Sequence, residues 1–219
     1  MPARPPVTYA SDDLPGRDRI VRSQGLQAVG HLEIGARVRA GRDHEWDHRV
    51  MGVLNFVANH VIQMGARILP GESLEYGWTL LRFMQRTPSL LEAHELEDVY
   101  SGDPEPPVVP GVDRAIRLAE ASDDVMRRNR LTGTSDFPYR GKTAISCQHW
   151  LTAPVRRLFM ARLDAHHVRD SGWTVPCGEK DEDHPEADLV LEHLAHIAAC
   201  RPFIVPYLTM PTGCAVGFD

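Results

Sequence analysis

The sequence predicts an α+β fold: short strands in mixed sheets packed with a few helices, arranged as two subdomains that share an interface. Patterns typical of strands and of helices occur in the same chain without a regular strand-helix-strand repeat. Stretches rich in proline and glycine interrupt it at about 101–111 and 133–141. With 219 residues, 42% of them hydrophobic, the chain can bury one large core or two small ones.

The first part of the chain is predicted to contain a flexible arm and an N-terminal α+β subdomain. Residues 1–29 are expected to be the arm, because proline, glycine and charged residues dominate and no apolar period is sustained. Apolar residues at alternate positions then predict a strand over residues 32–38. Asp43 is suited to cap a long amphipathic helix over residues 44–64, which Gly65 would end.

The N-terminal subdomain, residues 30–132, is completed by a hairpin, a loop and a second helix. β-favouring residues predict strands at about 74–86 and 89–97, joined by a turn at Thr87-Pro88-Ser89. Four prolines between residues 101 and 111 exclude a helix or a central strand there. Apolar residues on one face predict a helix over about 112–129.

The C-terminal subdomain, residues 143–219, is predicted to contain five short strands and a divided helical segment. The helical segment covers 195–208, and Pro202 and Pro206 divide it into two short turns. The predicted strands cover residues 143–147, 157–163, 172–177, 189–194 and 214–218. Two Gly-Trp pairs, Gly77-Trp78 and Gly172-Trp173, each predict a strand in which the glycine admits a neighbouring backbone and the tryptophan fills the core.

The C-terminal motifs occur in a recognisable order. An Asp170-Ser171-Gly172-Trp173 strand is followed by an acidic turn, an aliphatic strand, a short helix, Pro206-Tyr207-Leu208 and a closing strand after Pro211-Thr212-Gly213. Over about 144–218 this order resembles a bacterial domain of uncharacterised function that is grouped with the immunity proteins of polymorphic toxin systems. A weaker resemblance covers about 71–97. The resemblance implies a protein that binds and neutralises a cognate toxin, and it supplies no catalytic residue.

The acidic turn between Glu179 and Asp188 is the predicted partner-binding site. It carries six carboxylates against one lysine, a net charge of −5 in a chain whose formal net charge is −6. Such a run is either a solvated loop or a negative surface that steers a cationic toxin onto the protein. We predict the second role for Glu179, Asp181, Glu182, Asp183, Glu186 and Asp188.

One motif, His44-Glu45-Trp46-Asp47-His48, points to a different function. On a helix its two histidines could hold zinc, with Glu72 or Glu75 as a third ligand, in a metal-dependent hydrolase. The histidines fall on the polar face of the predicted helix, however, which favours a solvated first turn. The C-terminal histidines His166, His167, His184, His193 and His196 show no recognised ligand spacing, and neither Ser171 nor Cys177 lies in a nucleophile elbow.

The sequence therefore predicts a non-enzymatic binder with no catalytic residue, no cofactor and no metal. A zinc hydrolase and an accessory protein without a toxin partner remain as alternatives. Basic residues form no stripe, which argues against a nucleic-acid partner, and no apolar run is long enough to cross a membrane. Four widely spaced cysteines and the absence of a leader-like run favour reduced thiols and the cytoplasm.

Overall fold

The computed structural model describes residues 6–101, 103, 105–131, 137–148, 158–176 and 189–218. It has the predicted α+β architecture, with two open sheets and a few helices. The chain divides into two compact units. The first comprises Met1–Val99 and Pro106–Arg117, and the second comprises Tyr100–Glu105 and Leu118–Asp219.

A seven-stranded sheet forms the framework of the first unit. Its order is β1-β2-β3-β6-β5-β4, and β7 pairs with β6. β3 and β6 run parallel, and all the other pairs are antiparallel. The strands are β1 Thr8–Asp13, β2 Arg19–Gln24, β3 Glu33–Val38, β4 Ser73–Tyr76, β5 Thr79–Thr87, β6 Leu90–Leu96 and β7 Val108–Pro110.

Helix α1, His44–Met64, packs against β2 and β3 and has the predicted ends. The Asp43 carboxylate accepts a hydrogen bond of 3.0 Å from the Trp46 amide, which is the expected N-cap. Gly65 ends the helix with a φ of 62°, a left-handed conformation that glycine adopts without strain. The buried face contributes Val50, Val53, Leu54, Val57, Ala58 and Val61 to the core.

The expectation of a flexible arm over residues 1–29 is wrong for residues 8–24. These residues form β1 and β2, which pair antiparallel over six positions. Val21 is fully buried, Tyr9 donates a 3.3 Å hydrogen bond to Asn55 of α1, and Arg22 pairs with Asp12 at 2.5 Å. The strands owe their stability to these long-range contacts, which local composition does not reveal.

Two details of the hairpin region also differ from the prediction. Gly77 and Trp78 form a two-residue turn between β4 and β5, where Gly77 has a φ of 57°, so the predicted single strand is two strands. The proline-rich segment contains the short strand β7, which pairs with β6 on one side. Proline is tolerated there because β7 does not lie in the middle of the ladder.

A five-stranded sheet forms the framework of the second unit. Its order is β11-β8-β10-β9-β12, with β8 and β10 parallel and the other pairs antiparallel. The strands are β8 Thr143–Cys147, β9 Leu158–Arg162, β10 Asp170–Val175, β11 Leu189–His193 and β12 Ala215–Phe218.

Further helical segments follow α1 in the part of the chain that the structure describes. Helix α2 spans Asp113–Arg128, and the boundary between the two units falls within it. Helix α3 spans Leu194–Cys200, and a 3-10 helix follows at Pro202–Tyr207, so the helical segment is divided at Pro202 as predicted, whereas Pro206 lies inside the 3-10 helix. The buried side chains of α3 and the 3-10 helix are Leu194, Ile197, Ala198, Ile204 and Val205. No described helix is both long and apolar enough to span a bilayer.

Candidate functional site

The zinc-like motif at the start of α1 is divided between solvent and core. The His44 side chain is 94% exposed, and His48 is also exposed. Glu45 pairs with Arg49 at 2.9 Å. Within the described residues, no group of three or more His, Cys, Asp or Glu side chains is arranged to hold a metal ion.

Trp46 and Asp47 of this motif are buried and anchor the start of the helix. Asp47 accepts a 2.7 Å hydrogen bond from Arg19, and this bond, opposed in part by burial, raises the pKa of the Arg19 guanidinium. The Trp46 Nε1 donates to Asp113 at 3.0 Å, and the Arg42 guanidinium lies 4.0 Å from the Trp46 ring centroid. These contacts hold the start of α1 in place, and Asp47 also lies 3.6 Å from Nδ1 of the exposed His44.

The other ligands considered for that motif have separate roles. Glu72 accepts a 2.8 Å hydrogen bond from the Leu69 amide and so closes a local turn. Glu75 lies on β4, where burial raises its pKa.

The C-terminal histidines are also dispersed. His193 lies with Nδ1 2.9 Å from the Gly141 carbonyl, and His196 lies 2.9 Å from Glu192. His166 and His167 belong to the loop between β9 and β10. Ser171 is buried and donates to the Thr143 carbonyl at 2.8 Å, so it is a structural hydroxyl. His184 and Cys177 lie outside the described residues.

Both tryptophans of the Gly-Trp pairs are core residues, although only the second lies in a strand. Trp78 and Trp173 are almost fully buried. Trp78 donates to the Val99 carbonyl and Trp173 to the Leu208 carbonyl, each at 3.2 Å. Each indole therefore combines apolar burial with a satisfied N–H group.

Buried carboxylates in the first unit are a feature that sequence reasoning missed. Glu95 is almost fully buried on β6 and accepts hydrogen bonds from the Arg114 and Ala115 amides at 2.6 and 3.0 Å. Burial raises the pKa of Glu95, and the two amide hydrogen bonds oppose that shift. The carboxylate fixes the first turn of α2, where unpaired amides favour an acceptor.

A second buried carboxylate, Glu92, lies between two arginines. Arg37 and Arg86 contact its two oxygens at 3.2 and 2.6 Å. Burial lowers the pKa of the neighbouring His94, which Glu92 partly offsets. Glu92 and Glu95 thus have structural partners.

The six carboxylates predicted to bind the partner, Glu179, Asp181, Glu182, Asp183, Glu186 and Asp188, lie outside the described residues. The segment that contains them leads directly into β11, which begins at Leu189.

An exposed apolar surface covers one side of the second sheet, and we call it the outer face. One row of residues crosses all five strands, because each residue pairs with the next on the neighbouring strand. The row consists of Leu191, Ile145, Thr174, Ala161 and Ala215. Leu189 precedes Leu191 by two residues on β11, and Phe159 precedes Ala161 by two residues on β9. Both therefore lie on the same side of the sheet as this row. Leu191 is 69% exposed, and Ile145, Phe159 and Leu189 are also exposed.

The opposite side of this sheet is the buried one. Met160, Trp173 and Ala144 point inward, together with Arg162, whose Nη1 donates to the Met210 carbonyl at 2.7 Å. Among the described outward positions of the five strands, the only Asp, Glu, Lys or Arg is Asp170, at the very start of β10. The outer face is therefore an apolar surface of the kind that marks a protein-binding site.

Sequence reasoning located these strands but could not identify their exposed side. In β11 the leucines alternate with Val190 and Glu192, a pattern that normally places the leucines inside. Here Glu192 faces the other way, where it contacts His196 of α3. Only the tertiary packing of α3 and the 3-10 helix on the other side reveals which residues stay in solvent.

The comparison with protein families matches residues 124–219 to the Imm33-like domain. This confirms the immunity-type domain predicted for the C-terminal part of the chain. All five strands of the outer face lie within the matched residues, whereas the weaker resemblance at about 71–97 lies outside them. No curated protein and no solved structure matches the chain significantly.

Proposed function

We propose that this protein is an immunity protein that binds a cognate bacterial toxin in the cytoplasm and blocks the toxin's activity without catalysis. The observation that carries the proposal is the outer face, because it is an exposed apolar surface within the very segment that matches the Imm33-like domain. Neutralisation by occlusion requires only a stable complex, so it needs no catalytic group.

The dimensions of the outer face indicate how much of the interface it could supply. Five strands spaced about 4.8 Å apart span about 19 Å, and five residues at about 3.3 Å each span about 17 Å. That is roughly 320 Å² of flat footprint. A stable interface covers about 800 Å² on each partner, so the outer face would be the apolar centre of a larger contact.

The acidic turn is the proposed charged rim of that contact. Its last carboxylate, Asp188, directly precedes Leu189 of the outer face in the chain. We propose that Glu179, Asp181, Glu182, Asp183, Glu186 and Asp188 attract a cationic toxin surface and accelerate the encounter, while the apolar centre slows dissociation.

The test is binding of the purified full-length protein to the product of the toxin-type reading frame beside its gene, by titration calorimetry. The Leu191→Asp variant should weaken binding by about tenfold or more, since it places a charge in the apolar centre of the contact. Because Leu191 is exposed, the melting temperature should not change.

The matched control is Met64→Asp, which alters a side chain that is 74% exposed in the first unit. It should bind like the wild type. Wild-type affinity in the Leu191→Asp variant would remove the outer face from the interface, and absence of any complex with the wild type would favour an accessory protein without a toxin.

A further inference from the structure

The loop between β9 and β10, residues 163–169, presents the most exposed large hydrophobic side chain in the part of the chain that the structure describes. Val168 is 87% exposed, and Leu163 at the start of the loop is 54% exposed. Leu163 follows Phe159 and Ala161 at alternate positions, so it continues the outward side of β9. The loop therefore borders the outer face.

The loop is held by its own hydrogen bonds. The Asp170 carboxylate accepts from the His166 and Gly172 amides at 2.9 and 2.8 Å, and the Asp170 amide donates to the His167 carbonyl at 3.0 Å. The Arg169 carbonyl accepts from the Thr143 amide at 2.7 Å. The end of the loop that leads into β10 is thus tied to the sheet.

The charge on the Asp170 carboxylate suits its role as the acceptor of two amide hydrogen bonds. Burial alone would raise its pKa, but the two amide hydrogen bonds and the neighbouring His167 and His166 together lower it. The carboxylate therefore stays charged at neutral pH, and both of its oxygens can accept hydrogen bonds.

Gly172 adds a steric constraint. Its φ is 75°, and a Cβ there would clash with the Leu163 carbonyl oxygen. The Gly172 carbonyl accepts from the Leu163 amide at 2.8 Å. The backbones of β9 and β10 can approach each other this closely at the base of the loop only because Gly172 lacks a side chain.

We propose that this loop is a preorganised recognition element that inserts Val168 into an apolar pocket of the protein partner; the proposal rests on the toxin-binding function above. The amides and carbonyls named above are bonded within the domain, so they are not free to pair with an extended peptide. The loop would therefore recognise the partner by its shape and by the branched aliphatic side chain of Val168. Order present before binding spares the complex the entropy of immobilising the loop.

The experiment compares full-length variants against the same toxin-type gene product by surface plasmon resonance. Val168→Asp should raise the Kd by about tenfold or more, and Val168→Ala by a smaller factor, mainly through faster dissociation. The control Val29→Asp changes another exposed valine, in the first unit, and should leave the Kd unchanged.

A second variant tests preorganisation. Asp170→Ala removes the acceptor of the His166 and Gly172 amides, so hydrogen exchange at these two amides should accelerate. Association should slow by about threefold or more, with partial recovery in Asp170→Asn. Wild-type kinetics in Asp170→Ala despite faster exchange would overturn preorganisation.

Wild-type affinity in Val168→Asp would overturn only the role of Val168 as an anchor. Absence of any complex with the wild type would overturn both this proposal and the proposed function.

Discussion

At the residue scale, Gly172 is a position where the surrounding backbone excludes a larger residue. Its positive φ disfavours any other residue, and the Leu163 carbonyl occupies the space that a Cβ would need. The second constraint is the stronger one, because the atom in the way belongs to the backbone of Leu163, directly after β9, and cannot rotate aside as a side chain can.

We expect Gly172→Ala to lower the free energy of unfolding by about 2–4 kcal/mol, combining a left-handed conformation with a backbone clash. Urea denaturation followed by tryptophan fluorescence measures it. Gly213→Ala is the matched control, because Gly213 has a φ of 88° but no atom lies within 4 Å of the place its Cβ would take, so it should cost only about 1 kcal/mol. Equal losses in the two variants would show that the clash is relieved by movement.

At the element scale, helix α1 and the N-terminal strands show what local sequence can and cannot predict. Asp43 and Gly65 determine the ends of α1 through groups only a few residues away, so the prediction was right to the residue. β1 contains few apolar residues and depends on β2 and on Asn55, so nothing local identifies it.

The candidate site follows the same division. The strands of the outer face were predicted because their composition is local information. Their exposed side depends on which side α3 and the 3-10 helix cover, and that is a tertiary property.

The start of helix α2 yields a prediction about pH. Burial raises the pKa of Glu95 above its ordinary value of 4.5. The folded state therefore binds the proton of the Glu95 carboxyl group more tightly than the unfolded chain does. The resulting stability is fully present below the unfolded pKa and is lost as pH rises through the folded pKa. Glu95→Gln removes this titration, so the stability of the wild type relative to the variant should fall as the pH rises above the ordinary glutamate pKa of 4.5.

Thermal unfolding at a series of pH values would show the effect. The exposed neighbour on the same segment supplies the control, since Glu97→Gln should give a difference from the wild type that changes little with pH. A constant difference for Glu95→Gln over this range would mean that Glu95 has the same pKa in the folded and unfolded states.

At the scale of the whole molecule, most of the net charge lies in one stretch of the sequence, Glu179 to Asp188, which directly precedes β11 of the outer face. The acidic turn holds a net −5 of the chain's net −6. If the two surfaces serve one partner, they should govern different rates, because long-range attraction acts before contact and apolar burial acts after it.

Reversal of Asp181, Glu182 and Asp183 to lysine should slow association with the toxin by about tenfold or more at low ionic strength. The effect should largely vanish at 1 M salt, where the Debye length is about 3 Å. Stopped-flow mixing at several salt concentrations measures it. The combination Asp13→Lys, Glu97→Lys and Asp123→Lys changes the net charge equally at exposed acids elsewhere, and a similar slowing in that variant would assign the effect to net charge alone.

The interleaved division of the chain has a consequence for folding during synthesis. Residues 100–105 of the second unit leave the ribosome before residues 106–117, which complete the first. Within the second unit, Arg140 donates to the Ser101 carbonyl. This hydrogen bond can form only after Arg140 has been synthesised, about forty residues after Ser101. The family-matched segment 124–219 omits Ser101 and begins partway along α2, so a cut at its boundary would divide that helix and remove the carbonyl that Arg140 contacts.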